Sequence, residues 1–436
     1  MEPIRIYTVS LGCPKNRVDT ERLLAGFGAA MVPADSVEDS DLVLINTCGF
    51  IQPAIEESVN TIVDAIDAAG GMDKRPLLAV AGCLVSRFGG DLATELPEVD
   101  LWLNTFEIDA WPALVREALR REFTPERSRR LSTAPSYAYL KVGEGCSHGC
   151  RFCTIPSIRG PHISRPLESL VGEARELLDQ GVPELVVVGQ DVTAYGSDLG
   201  MSGGLRQLVG ELSKMDDLQW LRLMYLYPAG LTDETLSFLA AIGKPLLPYF
   251  DVPLQHAHPE VLQSMGRPFA RDPNLVVERI RSHFLDAALR TSIIVGYPGE
   301  TEEHFAALMD FVERTRFHHM GVFPYHAEEG TPAAAMPDQV DDAVKQWRRD
   351  SLMELQADIS SEIMETYVGS FLDVLVEEAS PEWPGLFTGR VWFQAPDVDG
   401  VTYLSADPES DVVLEPGKIV RAEIVEAKDY DLVGLV

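Results

Sequence analysis

Cysteine is scarce and unevenly placed. The 436 residues contain six, and none lies beyond residue 153. That distribution excludes a scaffold stapled by disulfides along its length and leaves thiols that serve as metal ligands or reactive groups. Positive charge is also scarce: 36 Lys and Arg stand against 68 Asp and Glu, a net charge of -32. Phosphate backbones demand clustered cations, so stable nucleic-acid binding is not expected, and a basic protein partner fits better. No run of about 18 apolar residues occurs, which excludes an ordinary transmembrane helix. The opening MEPIRIYTVSLGC passes from Met1 straight into a strand pattern without signal-peptide architecture. A cytoplasmic protein with no membrane association is the expectation.

What is present is modular, as expected of a chain too long for one core. The apolar runs IRIYTVSLGC, DLVLINTC and PLLAVAGC end on Cys13, Cys48 and Cys83, 35 residues apart in both intervals. Each is followed by a helix-compatible stretch, which predicts a parallel α/β sheet built of right-handed strand-helix units. In such a sheet, residues just past the carboxyl ends of the strands share one crevice. One cysteine there would be ordinary core packing; three at the same strand-end position read as a ligand triad.

Residues 116–130 hold six Arg and three Glu, read as the solvated face of a closing helix before a linker, with docking of an acidic electron donor as the lesser reading. Over residues 137–326 six strand-like runs alternate with helical ones, predicting a partial (β/α)6 TIM-like barrel with its chemistry at the strand carboxyl ends. Residues 338–367 predict one long connecting helix. Five short alternating runs then predict a small antiparallel β-barrel. The expected domains are 1–120, 132–366 and 367–436.

GCSHGCRFC, residues 145–153, places Cys146, Cys150 and Cys153 in one loop after the first barrel strand. Closely spaced thiolates bind zinc or iron-sulfur clusters. A zinc site would need His148 or His162 as its fourth ligand, the choice of a non-catalytic protein with structural zinc. The C-x3-C-x2-C spacing instead suits three corners of a 4Fe-4S cluster, whose fourth iron stays open for a small molecule.

GEGCSHGCRFCTIP with the downstream RGPHISRP resembles the signature of radical S-adenosylmethionine (SAM) enzymes of the methylthiotransferase family. SLGCPKNRVDTE, INTCGF and AGC are similar to that family's N-terminal domain, and the C-terminal β module to its TRAM domain. The resemblance implies two 4Fe-4S clusters and SAM as cofactors. Cys146, Cys150 and Cys153 would hold the cluster that cleaves SAM to a 5'-deoxyadenosyl radical. Cys13, Cys48 and Cys83 would hold an auxiliary cluster at which a sulfur species is methylated. No catalytic side chain is implied beyond these ligands. Phe152 is expected against the adenine, and Gly189, Gln190 and Gly296 in strand-end SAM-binding segments.

The family has a branch that modifies tRNA and one that modifies a ribosomal protein. SLGCPKN followed by VDTE, and GRVWFQAPDVDGVTYL, resemble the RimO-type branch. The resemblance then implies methylthiolation of the β-carbon of an aspartate in small-subunit ribosomal protein S-twelve, free or in the ribosomal particle, with a flavodoxin- or ferredoxin-like electron donor. Charge agrees: residues 369–436 carry four basic and fourteen acidic side chains, which suits a basic protein better than tRNA. A MiaB-like tRNA adenosine methylthiotransferase is the alternative.

Overall fold

The computed structural model describes residues 3–267, 272–406 and 412–436. The chain forms two compact units. One comprises Met1–Ser132 with Glu144–His148 and Cys153–Ile163; the other comprises Thr133–Gly143, Gly149–Phe152 and Ser164–Val436.

The first unit is built on a five-stranded, all-parallel sheet. Its strands are β1 (Ile4–Ser10), β2 (Met31–Pro33), β3 (Leu42–Thr47), β4 (Leu77–Gly82) and β5 (Leu101–Asn104), in the order β2-β1-β3-β4-β5. The strands that lead to the first three cysteines, β1, β3 and β4, are adjacent, as the sequence predicts. β2 and β5, of three and four residues, are too short to show a period of their own. Helices cover both faces: α1 (Pro14–Ala25), α2 (Gln52–Ala69), α3 (Cys83–Glu95) and α4 (Trp111–Leu119). Side chains alternate accordingly along β3. Leu42 and Leu44 join a core with Leu23, Phe27 and Trp111, whereas Val43 and Ile45 pack with Ile62 and Leu84 on the other face. The Arg-rich stretch corrects one expectation. Arg129 is not solvated but buried, with its Nε 2.8 Å from Glu21 Oε2.

A five-residue helix, α5 (Ile155–Arg159), also belongs to this unit, although the sequence places it between barrel strands. Thr105 Oγ1 donates to Ile158 O at 2.7 Å and helps to seat it.

The second unit carries six parallel strands: β6 (Tyr137–Lys141), β9 (Glu184–Val188), β10 (Trp220–Leu223), β11 (Tyr249–Asp251), β12 (Ala288–Val295) and β13 (His319–Pro324). Two two-residue strands, β7 (Gly143–Glu144) and β8 (Ile163–Ser164), flank the cysteine loop. β6, β9 and β10 form one parallel trio and β11, β12 and β13 another. Leu247 N donates to Leu221 O and Leu226 N to Asp251 O, both at 2.9 Å, which joins the trios in sequence order. This is the partial barrel predicted. The connecting helix spans Asp342–Glu365, inside the predicted limits.

The C-terminal strands β14 (Phe371–Ala379), β15 (Leu386–Val391), β16 (Thr402–Ser405), β17 (Ile419–Ala427) and β18 (Leu432–Leu435) close into a barrel in the order β14-β15-β16-β18-β17. Four pairings are antiparallel, and β16 with β18 is parallel. A closed ring with an odd number of strands requires at least one such pair.

Residues 390–399 of this small barrel dock against the amino-terminal ends of the six larger strands. Arg222 Nη1 donates to Trp392 O at 2.8 Å, His319 Nε2 lies 2.7 Å from Phe393 O, and Tyr139 and Tyr249 donate to Asp397 and Asp399 at 2.9 and 2.7 Å. Arg290 Nε lies 3.3 Å from Asp399 Oδ1. Among the described residues, no helix is long and apolar enough to cross a membrane.

Candidate active site

Cys13 caps the amino terminus of α1, Cys48 directly follows β3, and Cys83 opens α3. A glycine adjoins each thiol where the backbone leaves no room for a side chain. Gly12 has φ +86, and a Cβ there would stand 2.8 Å from Cys48 Cβ. Gly82 has φ +104 and would drive a Cβ into Asn46 Oδ1 and Thr47 O. Gly49 packs on the backbone of Leu84. The left-handed φ values and the close approach both select glycine. Two buried asparagines tie the strand ends together: Asn16 Nδ2 donates to Leu11 O and Thr47 O, and Asn46 Nδ2 to Asn16 O.

The three thiols are electrostatically distinct. Burial acts to raise Cys13, but the charges of Lys15 and Arg159 and the N–H groups of Asn16 and Lys15 outweigh it, and its pKa falls. Burial pushes Cys48 up to about 12, with the Phe50 N–H opposing and the other two thiols adding to the rise. Burial also raises Cys83, against the opposing charge of Arg159. Such a set gives up its protons fully only to a cation, because metal ligation deprotonates a thiol outright.

Three soft thiolates in one crevice are the donor set of zinc or of an iron-sulfur cluster. Among the described residues, one trio of potential ligand atoms lies within 4.8 Å of one another: His258, Glu260 and His304. Neither His148 nor His162 belongs to it. Both Nδ1 atoms of that trio already accept backbone N–H groups, from Glu260 and Thr301, as helix caps.

Arg159, at the end of α5, was not singled out by sequence reasoning. It is 4% exposed. Its Nε lies 3.2 Å from Cys83 Sγ, Nη2 lies 2.5 Å from Asn16 Oδ1, and Nη1 lies 2.7 Å from Glu144 Oε1 and 3.5 Å from Asp19 Oδ2. The available signal was SIRG, an Arg just after the motif cysteines, together with Asn16 and Asp19 inside CPKNRVDTE.

Within the motif loop, Cys146 N donates to Gly160 O at 3.0 Å, and the N–H of Ile155 lies 3.5 Å from Cys153 Sγ. Gly145 has φ +69 and packs on the carbonyls of Gly160 and Pro161. Cys150 belongs to the second unit. There Arg267, buried and stacked 4.9 Å above the Tyr227 ring, places Nη1 3.4 Å from Cys150 Sγ. Sequence reasoning missed Arg267 too.

Of the residues expected near SAM, Phe152 lies in the motif loop, and Gly189, Gln190 and Gly296 sit just past strand carboxyl ends of the second unit. Phe152 is half-buried and packs against Val261, Leu262, Met265, Tyr297 and Tyr325. Gly189 is buried just past β9, with half-buried Gln190 beside it. Gly296 follows β12 with φ +71, and its N–H donates to Glu300 Oε2 at 2.6 Å; a Cβ there would collide with Lys345.

Comparison with known proteins agrees with this architecture. The radical SAM superfamily profile matches residues 140–312, that of uncharacterized protein family UPF0004 residues 5–104, and that of the TRAM domain residues 368–436. Ribosomal protein uS12 methylthiotransferase RimO of Nitratidesulfovibrio vulgaris strain DP4 is 61% identical, covering 99% of this chain and 100% of its own. The protein of the same name from Oleidesulfovibrio alaskensis G20 is 59% identical over 99% and 100%, and that from Lawsonia intracellularis 50% identical over 99% and 98%. Among solved structures, the radical SAM methyltransferase TsrM from Kitasatospora setae shares the fold, with TM-score 0.55 at 15% identity over 89% of this chain and 81% of that one. An iron-sulfur cluster and SAM are cofactors of this superfamily. On full-length identity and on all three profiles, the chain belongs to the RimO family of radical SAM methylthiotransferases.

Proposed function

We propose that this protein adds a methylthio group to the β-carbon of an aspartate of ribosomal protein uS12, using two 4Fe-4S clusters. The observation that carries the two-cluster reading is the second set of thiols. Cys13, Cys48 and Cys83 converge past the ends of three adjacent parallel strands, each beside a glycine that keeps the space clear. The name carried by relatives at 61% identity supplies the substrate.

In this reading residues 1–120 carry the auxiliary cluster, 132–366 the SAM-cleaving one, and 367–436 the partner-binding module. Bound SAM with its cluster supplies the radical that removes hydrogen from an unactivated carbon, chemistry beyond any side-chain acid or base. The chain's own residues bind and orient. Cys146, Cys150 and Cys153 ligate one cluster, and the guanidinium of Arg267 steadies Cys150 and offsets its charge. Half-buried Phe152 offers an apolar face to the adenine, while Gly189, Gln190 and Gly296 line the strand ends. The buried Glu300 carboxyl group fixes the turn after β12, its Oε2 accepting from the N–H groups of Gly296 and Tyr297. A flavodoxin- or ferredoxin-like protein delivers the electrons.

The test is mass spectrometry of uS12 and of tRNA after incubation with reduced, cluster-reconstituted enzyme, SAM and a sulfide source. A methylthio mass gain on uS12 alone is expected. A gain on tRNA alone would replace the reading with the MiaB-like one.

A further inference from the structure

Arg159 joins elements that sequence keeps apart. Its guanidinium reaches back across the motif loop to Glu144, two residues before Cys146, and its Nε points at Cys83 of the other thiol set. Two buried or half-buried carboxylates, Asp19 and Glu144, already balance its charge. A purely structural arginine would be satisfied by them and by Asn16. The Nε–H is instead directed at a sulfur 3.2 Å away, a weak acceptor as a thiol and a strong one as a thiolate.

We propose that Arg159 is a positioning residue that fixes Cys83 and raises the reduction potential of the cluster bound by Cys13, Cys48 and Cys83; this rests on the two-cluster reading above. The physical basis is general. Reduction adds negative charge to a cluster, and N–H···S bonds and nearby cations favour the reduced form. In a low-dielectric site a buried guanidinium in contact with a ligand sulfur acts more strongly than one in water. Arg159 is held rigidly enough for this, because its fork is fixed at three further points on Asn16, Asp19 and Glu144. One side chain thus sets the environment of the second cluster from the end of the segment that carries the first.

The experiment isolates one cluster. In the full-length chain, Cys146, Cys150 and Cys153 are changed to Ala together, and the protein is reconstituted without oxygen. Iron, sulfide and an EPR-monitored redox titration are measured with Arg159 intact, with Arg159→Gln and with Arg159→Lys. With Arg159 intact, about four irons per chain are expected; absence of any cluster there would overturn the two-cluster reading itself. Given that cluster, Arg159→Gln should shift its midpoint potential to more negative values. Arg159→Lys, which keeps the charge but not the fork, should recover part of the shift. Loss of the cluster from the Gln variant with retention in the Lys variant would support the same role. Unchanged potentials in both variants, or loss of the cluster from both with the circular dichroism of the fold intact, would overturn it.

Discussion

Glu184 and Arg390 are 206 residues apart in sequence, yet Arg390 Nη2 lies 2.7 Å from Glu184 Oε2 with both side chains buried. Glu184 also accepts from Arg222 Nε at 2.7 Å, and Arg390 Nε reaches Glu377 at the same distance. The amino-terminal end of the larger barrel and the small barrel are therefore locked by a desolvated chain of four charges.

Breaking that chain on one side strands a buried charge. Arg390→Met should destabilise the protein by roughly 3 kcal/mol or more, because Glu184 loses one of its two cations and Glu377 loses its cation, keeping only the Ser136 hydroxyl. Changing Glu184 to Gln in the same protein should recover part of the loss. Denaturant unfolding of the single and double variants measures both effects; equal stability of Arg390→Met and the parent would refute the lock.

The two thiol sets should fail differently. With Cys13, Cys48 and Cys83 changed to Ala, the enzyme should still cleave SAM but give no methylthio product. With Cys146, Cys150 and Cys153 changed, SAM cleavage should stop. Each triple variant should hold about half the iron of the parent, whose expected content is about eight. Full methylthiotransferase activity in either variant would disprove the assignment.

Gly82→Ala tests the steric argument beside Cys83. A Cβ at φ +104 is strained, and it would meet the side chain and backbone at the end of β3. A destabilisation of about 1–3 kcal/mol is expected, with reduced iron per chain after reconstitution. Gly71→Ala, where nothing stands within 4 Å of the new Cβ, should leave iron content unchanged.

Glu300 predicts a pH dependence. Burial raises its carboxyl to about 7, against the opposing Arg348 guanidinium and the N–H groups of Tyr297 and Gly296. A carboxyl raised above its unfolded value holds a proton in the native state that the unfolded chain releases. Its stabilising contribution is complete below pH 4 to 5 and is lost as pH rises through about 7. Relative to Glu300→Gln, the parent should lose stability between pH 5 and 8, by a few kcal/mol at most. Parallel pH profiles of the unfolding midpoint would count against the shift.

Much of this was legible in the sequence because it is periodic or covalently local. Strand-length apolar runs ending on Cys13, Cys48 and Cys83 announce both the sheet and the crevice, and C-x3-C-x2-C fits one loop. Arg159 and Arg267 were illegible for the opposite reason. An arginine in SIRG or MGRP reads as surface until the fold buries it, and only then does its contact with Cys83 or Cys150 exist. Arg129 was misread on the same ground. The charge argument for the terminal module also changes, since the side chains of Asp399 and Glu377 are buried or nearly so against Arg290 and Arg390. Those acids are spent internally and offer little to a basic partner.

The docking of residues 390–399 beneath the larger barrel has a mechanical meaning. A module joined only by a linker would sweep a volume. One bolted to six strand ends cannot. The terminal barrel therefore keeps one orientation on the larger one, and the pair turns and tumbles as a single solid body.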